Sequence, residues 1–147
     1  MSEKTQKETK STYATTVLQV ITYKKLQNKI NAVLKQYGLN MTQWLILGRL
    51  KEKKNGLRTT DLARFMHVEV PLVTMVSQPL MGRGLIDTNK INHDKRAKLL
   101  QLTESANNLI ETVEKRLQSQ VKDITKDVSV KDMNTYFRVL ERMVQNP

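Results

Sequence analysis

Apolar residues recur at helical spacing over most of the chain, broken by one short region of strand-like character. Tyr13, Val17, Val20, Ile21, Leu26, Ile30, Val33, Leu34 and Tyr37 form a stripe that predicts a long first helix, stopped by Gly38. Asn40-Met41-Thr42-Gln43 has the pattern of a capping box, with Asn40 as cap and Gln43 reaching back. The helix it opens carries Trp44, Leu45, Leu47 and Leu50, and Asn55-Gly56 reads as the turn that follows. Thr59 is placed to cap a third helix bearing Leu62, Ala63, Phe65 and Met66. After a gap from His67 to Val70, Pro71 fits the first turn of a fourth helix, where its missing N–H costs nothing. Leu72, Val73, Val76 and Leu80 fall at helical spacing there, and Gly82 and Gly84 end it. Pro79 interrupts this pattern. It removes one helical hydrogen bond and crowds the turn at Met75, so a kink or early end is expected near Gln78. GLIDTNK and KLLQLT are strand-like, joined by a polar, mostly basic loop from Asn89 to Arg96. Thr103 starts a long helix on which Ala106, Ile110, Val113, Leu117, Val121 and Ile124 keep step, with Glu111 and Lys115 an i,i+4 pair on its exposed face. Ser129 caps a last helix with Asp132 in its first turn and an apolar stripe of Met133, Tyr136, Phe137, Leu140, Met143 and Val144.

Helix, turn, helix and hairpin between Thr59 and Thr103 is the winged helix-turn-helix plan. Its second helix enters the major groove of DNA, and its hairpin tip reaches the backbone or the adjacent minor groove. The residues placed to meet base edges are Val70, Pro71, Leu72, Thr74, Met75 and Gln78. Gln78 can make a bidentate amide contact with adenine, Thr74 can bond a phosphate or base, and Val70 or Leu72 can touch a thymine methyl. Arginine to guanine, the commonest specific contact, has no candidate within the helix body. The pattern therefore implies reliance on DNA shape and backbone contacts, or a modest operator affinity. Val73, Val76 and Leu80 are assigned to packing. On the hairpin, Lys90, His93, Lys95 and Arg96 are candidate DNA contacts, and Arg83 and Arg64 are further phosphate candidates. Asp94 would repel a phosphate unless paired, so it is expected to position Arg96 rather than touch DNA.

Four pieces of this region carry a resemblance. GLNMTQWLILGRL (Gly38 to Leu50), DLARFMHV (Asp61 to Val68), LVTMVSQPLMGRGLI (Leu72 to Ile86) and DKRAKLLQLT (Asp94 to Thr103) resemble, in order and spacing, the MarR family of transcription regulators. The last contains Asp94-x-Arg96 followed by Leu102-Thr103, the family's wing signature. The flanking helices extend the likeness from about Tyr13 to Val144. The resemblance implies a single domain, mainly α with a small β-hairpin wing. A winged-helix lobe at about 39–102 would be flanked by dimerisation helices at about 12–37 and 103–145, after a flexible tail at 1–11. It also implies a very short strand at Leu57-Arg58 pairing with the wing. The partners implied are a second copy of the chain, a pseudo-palindromic double-stranded DNA operator and a small-molecule effector that releases it, often in repression. Val17, Ile21, Val121, Tyr136, Phe137 and Leu140 are the expected dimer interface. Family ligand pockets lie between the dimerisation helices and the lobe, where Trp44, Tyr37, Tyr23 and Met41 fall. Trp44 is read first as a core tryptophan. This chain departs from the family at Val70, Pro71 and Met75, where more polar residues are usual, and at Pro79.

Charge agrees in sign but not in place. The formal net charge of +11 favours an acidic partner such as nucleic acid. Met1 to Gly56 carries 11 basic and 3 acidic residues, Leu57 to Leu102 7 and 4, and Thr103 onward 7 and 7. The proposed reading head is thus only mildly basic. Arg49, Lys51, Lys53 and Lys54 cluster at one helix end, either as a solvated complement to the helix dipole or as a phosphate-facing patch. With 39% hydrophobic and 27% charged residues, composition is that of an ordinary globular chain of one-domain length.

No cysteine is present, which excludes disulfides, thiolate metal sites and thiol redox switching. Two histidines without cysteine make a zinc or catalytic site improbable, and neither His67 with Glu69 nor His93 with Asp94 has diagnostic spacing. There is no glycine-rich phosphate loop. No catalytic residue, metal or cofactor is expected. MSEKTQKETK lacks the apolar run of a secretory leader, and no stretch approaches membrane-spanning length, so a cytoplasmic, non-membrane protein is expected. Two other function classes compete with specific regulation. One is a protein-interaction or anti-regulator module that kept the scaffold but lost operator reading, motivated by the apolar fourth helix. The other is non-specific nucleic-acid compaction, which the charge permits.

Overall fold

The computed structural model describes residues 12–91 and 94–147, except for the side chains at 90, 91 and 94–97. The expected tail at 1–11 and the hairpin tip, Asn92 and His93, lie outside the described residues. A π-helical turn at Ala14–Leu18 leads into α1 (Gln19–Gln36), followed by α2 (Met41–Glu52), β1 (Leu57–Arg58), α3 (Thr59–Met66) and α4 (Val70–Gly82). The hairpin strands are β2 (Ile86–Ile91) and β3 (Asp94–Leu102), and the chain closes with α5 (Glu104–Thr125) and α6 (Val130–Gln145).

Local capping chemistry sets most of these boundaries. At α2 the Gln43 N–H donates to Asn40 Oδ1 at 2.9 Å, and the Asn40 N–H donates to Gln43 Oε1 at 3.0 Å, closing the expected box. Ser129 Oγ accepts from the Asp132 N–H at 3.1 Å and Thr103 Oγ1 from the Ala106 N–H at 3.1 Å. Helix α1 ends in a left-handed Gly38 (φ 64°), with Leu39 N–H returning to the Leu34 carbonyl at 3.0 Å. The same six-to-one return closes α4 through Gly84 (φ 69°), with Leu85 N–H on the Leu80 carbonyl at 2.9 Å. At the end of α3 the left-handed residue is His67 (φ 54°), a non-glycine in the same role.

The sheet is antiparallel with order β1-β3-β2. The short β1 pairs Leu57 with Leu100 and Arg58 with Leu99, as the resemblance implied. Helices α2 to α5, the C-terminal half of α1 and the sheet enclose one core. Leu34, Leu47, Leu62, Val73, Leu80, Ile86, Leu100 and Val113 meet in it, and Trp44 packs against it half-buried. Helix α1 lies along α5, and α3 packs on α4. No helix among the described residues is long and apolar enough to cross a membrane.

Four expectations need correction. Thr59 is the first residue of α3 rather than its cap. Arg58 holds the cap position in extended conformation, with no side-chain hydrogen bond there. Of the kink or early end expected near Gln78, the early end does not occur: α4 runs through Pro79 to Gly82, with core residues on both sides of the proline. The loop from Asn89 to Arg96 is mostly strand: Asn89 pairs with Leu99, Lys90 with Lys98, and, after a register shift, Ile91 with Asp94. Finally, Glu111 meets Lys51 of α2 at 3.9 Å instead of Lys115 on its own helix.

Candidate nucleic-acid interface

Helix α4 is two-sided. Val73, Ser77 and Leu80, at steps of four and three, are buried, and Val76 is half-buried. Pro71, Thr74 and Gln78 are exposed on the other side together with Val70 (38%), Leu72 (36%) and Met75 (62%). Every residue placed at the base-reading positions of α4 therefore reaches solvent, and the packing assignments of Val73, Val76 and Leu80 agree with burial. Pro71 occupies the first turn, where α4 has no hydrogen-bond partner to lose. Thr74 Oγ1 donates to the Val70 carbonyl at 3.2 Å, so its hydroxyl is held against the helix and keeps an acceptor face toward solvent. Ser77 is a core position that apolar periodicity missed. It is 1% exposed and its Oγ has no hydrogen-bond partner.

The wing's backbone brings Lys90, Asp94, Lys95 and Arg96 onto the paired strands β2 and β3. Their side chains, and His93 altogether, lie outside the described residues, so the Asp94–Arg96 brace is not part of this geometry. At its base the wing is fastened by side chains: Asn89 Nδ2 donates to Gln101 Oε1, and Gln101 Nε2 donates to the Asn55 carbonyl at 3.1 Å. Gly56 (φ 86°) lies so close to this strand that a Cβ would stand 2.7 Å from Gln101 Cγ and 2.8 Å from the Leu100 carbonyl oxygen.

Arg83, one of the phosphate candidates, is exposed, and its guanidinium also reaches across to the end of α1. Nη1 donates to the Gly38 carbonyl at 2.9 Å and Nη2 to the Tyr37 carbonyl at 3.0 Å. Arg64 is solvent-facing, with Asp61 3.4 Å away. In the basic cluster, Arg49 pairs with Glu52 at 2.8 Å and stacks over Phe65, 4.1 Å from the ring centroid. That uses the charge inside the protein, and Lys51 pairs weakly with Glu111. Lys53 and Lys54 stay exposed.

Away from the lobe, α6 buries no residue although it carries a continuous apolar stripe. Tyr136 and Phe137, with ring centroids 6.1 Å apart, and Met143 are exposed on it, and Val17 and Ile21 are exposed at the other end of the chain. Val121 and Leu140 are half-buried. Between the first helical turns and α6 lies an open apolar groove of about 630 Å³ lined by Leu18, Leu26, Ile124, Tyr136 and Met143 among others. None of Tyr23, Tyr37, Met41 and Trp44 lines it. Among the described residues, no cluster of three or more histidine, aspartate or glutamate side chains could hold a metal.

Comparison with known proteins gives the same pattern. The MarR family model matches residues 39–98, from the start of α2 to the middle of β3. The fold is similar to that of a transcriptional regulator designated PA3341, at 25% identity and a TM-score of 0.74 over 87% of this chain and 93% of that one. It is also similar to NadR in complex with 4-hydroxyphenylacetate, at 21% identity and a TM-score of 0.79 over 90% and 93%. A variant of MarR from E. coli complexed with operator DNA aligns at 18% identity and a TM-score of 0.72 over 86% and 90%. The lobe, residues 39–98, thus matches the MarR family model, and nearly all of the chain shares the winged helix-turn-helix fold of MarR-family regulators.

Proposed function

We propose that this protein is a transcription regulator that binds a pseudo-palindromic double-stranded DNA operator as a homodimer, represses from it, and is released by a small ligand. The observation that carries the reading is the two-sidedness of α4. A helix anchored by Val73, Ser77 and Leu80 presents Val70, Leu72, Thr74, Met75 and Gln78 to solvent beside a β-hairpin. Operator DNA bound to one structural neighbour and 4-hydroxyphenylacetate bound to another support the two kinds of partner. The unpartnered stripe of α6 supports the homodimer, since about 25 cal/mol is gained for each Å² of apolar surface a second copy would cover.

The test is fluorescence anisotropy on duplexes from the region upstream of the protein's own coding sequence, repeated across a salt series. The affinity is expected to fall linearly on a log–log plot, with a slope near −0.9 for each phosphate neutralised. Native upstream DNA should also be bound more tightly than the same bases scrambled. No binding at low salt would sink the proposal, and equal binding to scrambled DNA would leave only non-specific compaction. A second reading, a protein-interaction module, is favoured by the apolar character of the exposed α4 side, with Met75 at its centre. Capture of a protein partner through Val70 to Gln78, without protection of any DNA, would decide for it.

A further inference from the structure

The turn that ends α4 is bonded to both long helices that frame the lobe. On one side Arg83 forks onto the carbonyls of Tyr37 and Gly38, the last groups of α1 and its closing turn. Those carbonyls sit at the negative end of a helix dipole, and a planar guanidinium can serve two acceptors at once. A Cβ on Gly38 would lie in ordinary van der Waals contact with the guanidinium, 3.5 Å from Arg83 Nη1. On the other side Thr103, the cap of α5, donates from Oγ1 to the Gly84 carbonyl at 2.7 Å, and its N–H donates to the Leu85 carbonyl at 3.2 Å. Three consecutive residues, Arg83 to Leu85, thus join the C-terminus of α4 to the end of α1 and the start of α5. The partners are 46 and 19 positions away in sequence, so these bonds are tertiary fixings and not local caps.

We infer that Arg83 is a positioning residue that sets the orientation of α4 against α1 and α5, and through them the separation of the two α4 helices in the dimer. The inference rests on the homodimeric DNA-binding reading above. A lysine at this position keeps the charge but cannot make the fork, because an ammonium presents no planar pair of donors. Charge and geometry can therefore be separated by two substitutions.

The chain has no cysteine, so Thr60→Cys, on the exposed first turn of α3, gives one labelling site per copy. Spin labels there report the distance between the two lobes without DNA. The expected result is a narrow distance distribution in the otherwise unchanged dimer and a clearly broadened one with Arg83→Lys or Arg83→Ala. In parallel, Arg83→Lys should weaken operator binding by about tenfold, in the usual range for coupling between sites. Its salt slope should stay unchanged, and preference between half-site spacings one base pair apart should be reduced. Global stability from urea titration identifies a variant that merely unfolds, and the lysine variant, which keeps the charge, is the arm that decides. A dimer whose distribution does not change in Arg83→Lys overturns the inference and leaves the DNA-binding reading intact. So does an Arg83→Ala variant whose only change is a shallower salt slope, because that is the mark of a phosphate contact. A chain that gives no inter-copy distance at all overturns both.

Discussion

Ser77 sits where the helical pattern asks for an apolar side chain, and its hydroxyl is buried without a partner. An unpaired buried hydroxyl costs more than it returns, so Ser77→Ala should raise stability by about 1 kcal/mol in urea unfolding. A loss of stability would mean the hydroxyl is bonded after all. Gly56 is the opposite case. Its positive φ and the 2.7 Å approach of Gln101 leave no room for a methyl group. Gly56→Ala should cost roughly 1–3 kcal/mol and loosen the base of the wing, read as faster amide exchange in β1. On the exposed side, Gln78→Ala should lose about 1–3 kcal/mol of discrimination at one operator position and leave the salt slope unchanged. Residues whose roles are local were legible in the sequence. The Asn40 and Ser129 caps each depend on a group three positions away, and both form, whereas Thr59, read in the same way, is the first residue of its helix. The fork of Arg83 onto Gly38 and Tyr37 was not legible, because its acceptors lie 45 and 46 positions upstream and no local pattern encodes that.

Element by element, α4 shows how packing overrides a local signal. Pro79 removes the hydrogen bond to the Met75 carbonyl, yet the helix persists because Ser77 and Leu80 are buried on either side and the Gly84 turn closes its end. Pro79 is exposed, so Pro79→Ala restores the bond without disturbing the core. It should add about 1–2 kcal/mol, after allowing for the greater freedom of the unfolded chain. Equal or lower stability in thermal unfolding would show that the helix has adapted to the proline. The wing went the other way. Its polar, basic composition reads as loop, but backbone pairing with β3 satisfies the main chain whatever the side chains are, so the strands reach Ile91 and Asp94. Composition reported the solvent around this hairpin, and pairing decided its length.

At the scale of the whole molecule, the exposed apolar faces of the helices at the two ends are what the proposed second copy would cover. Helix α6 holds an apolar stripe and buries none of it, so periodicity revealed the stripe while the single chain does not reveal its partner. Phe137→Glu should raise the dimer dissociation constant by at least about 30-fold, the scale of an interface hot spot. It should leave a folded monomer by sedimentation, because no core residue lies on α6. On the proposed reading, the net charge of +11 favours association with DNA in general, and paired α4 helices would supply the specificity. The most direct test is a hydroxyl-radical footprint on a duplex selected by the purified protein from a randomised pool. Two-fold-symmetric protections centred about 10–10.5 base pairs apart are expected, matching α4 helices about 34–36 Å from each other. A pool that yields no preferred sequence, or a selected duplex with a single unpaired protection, would contradict a dimer that reads DNA through α4.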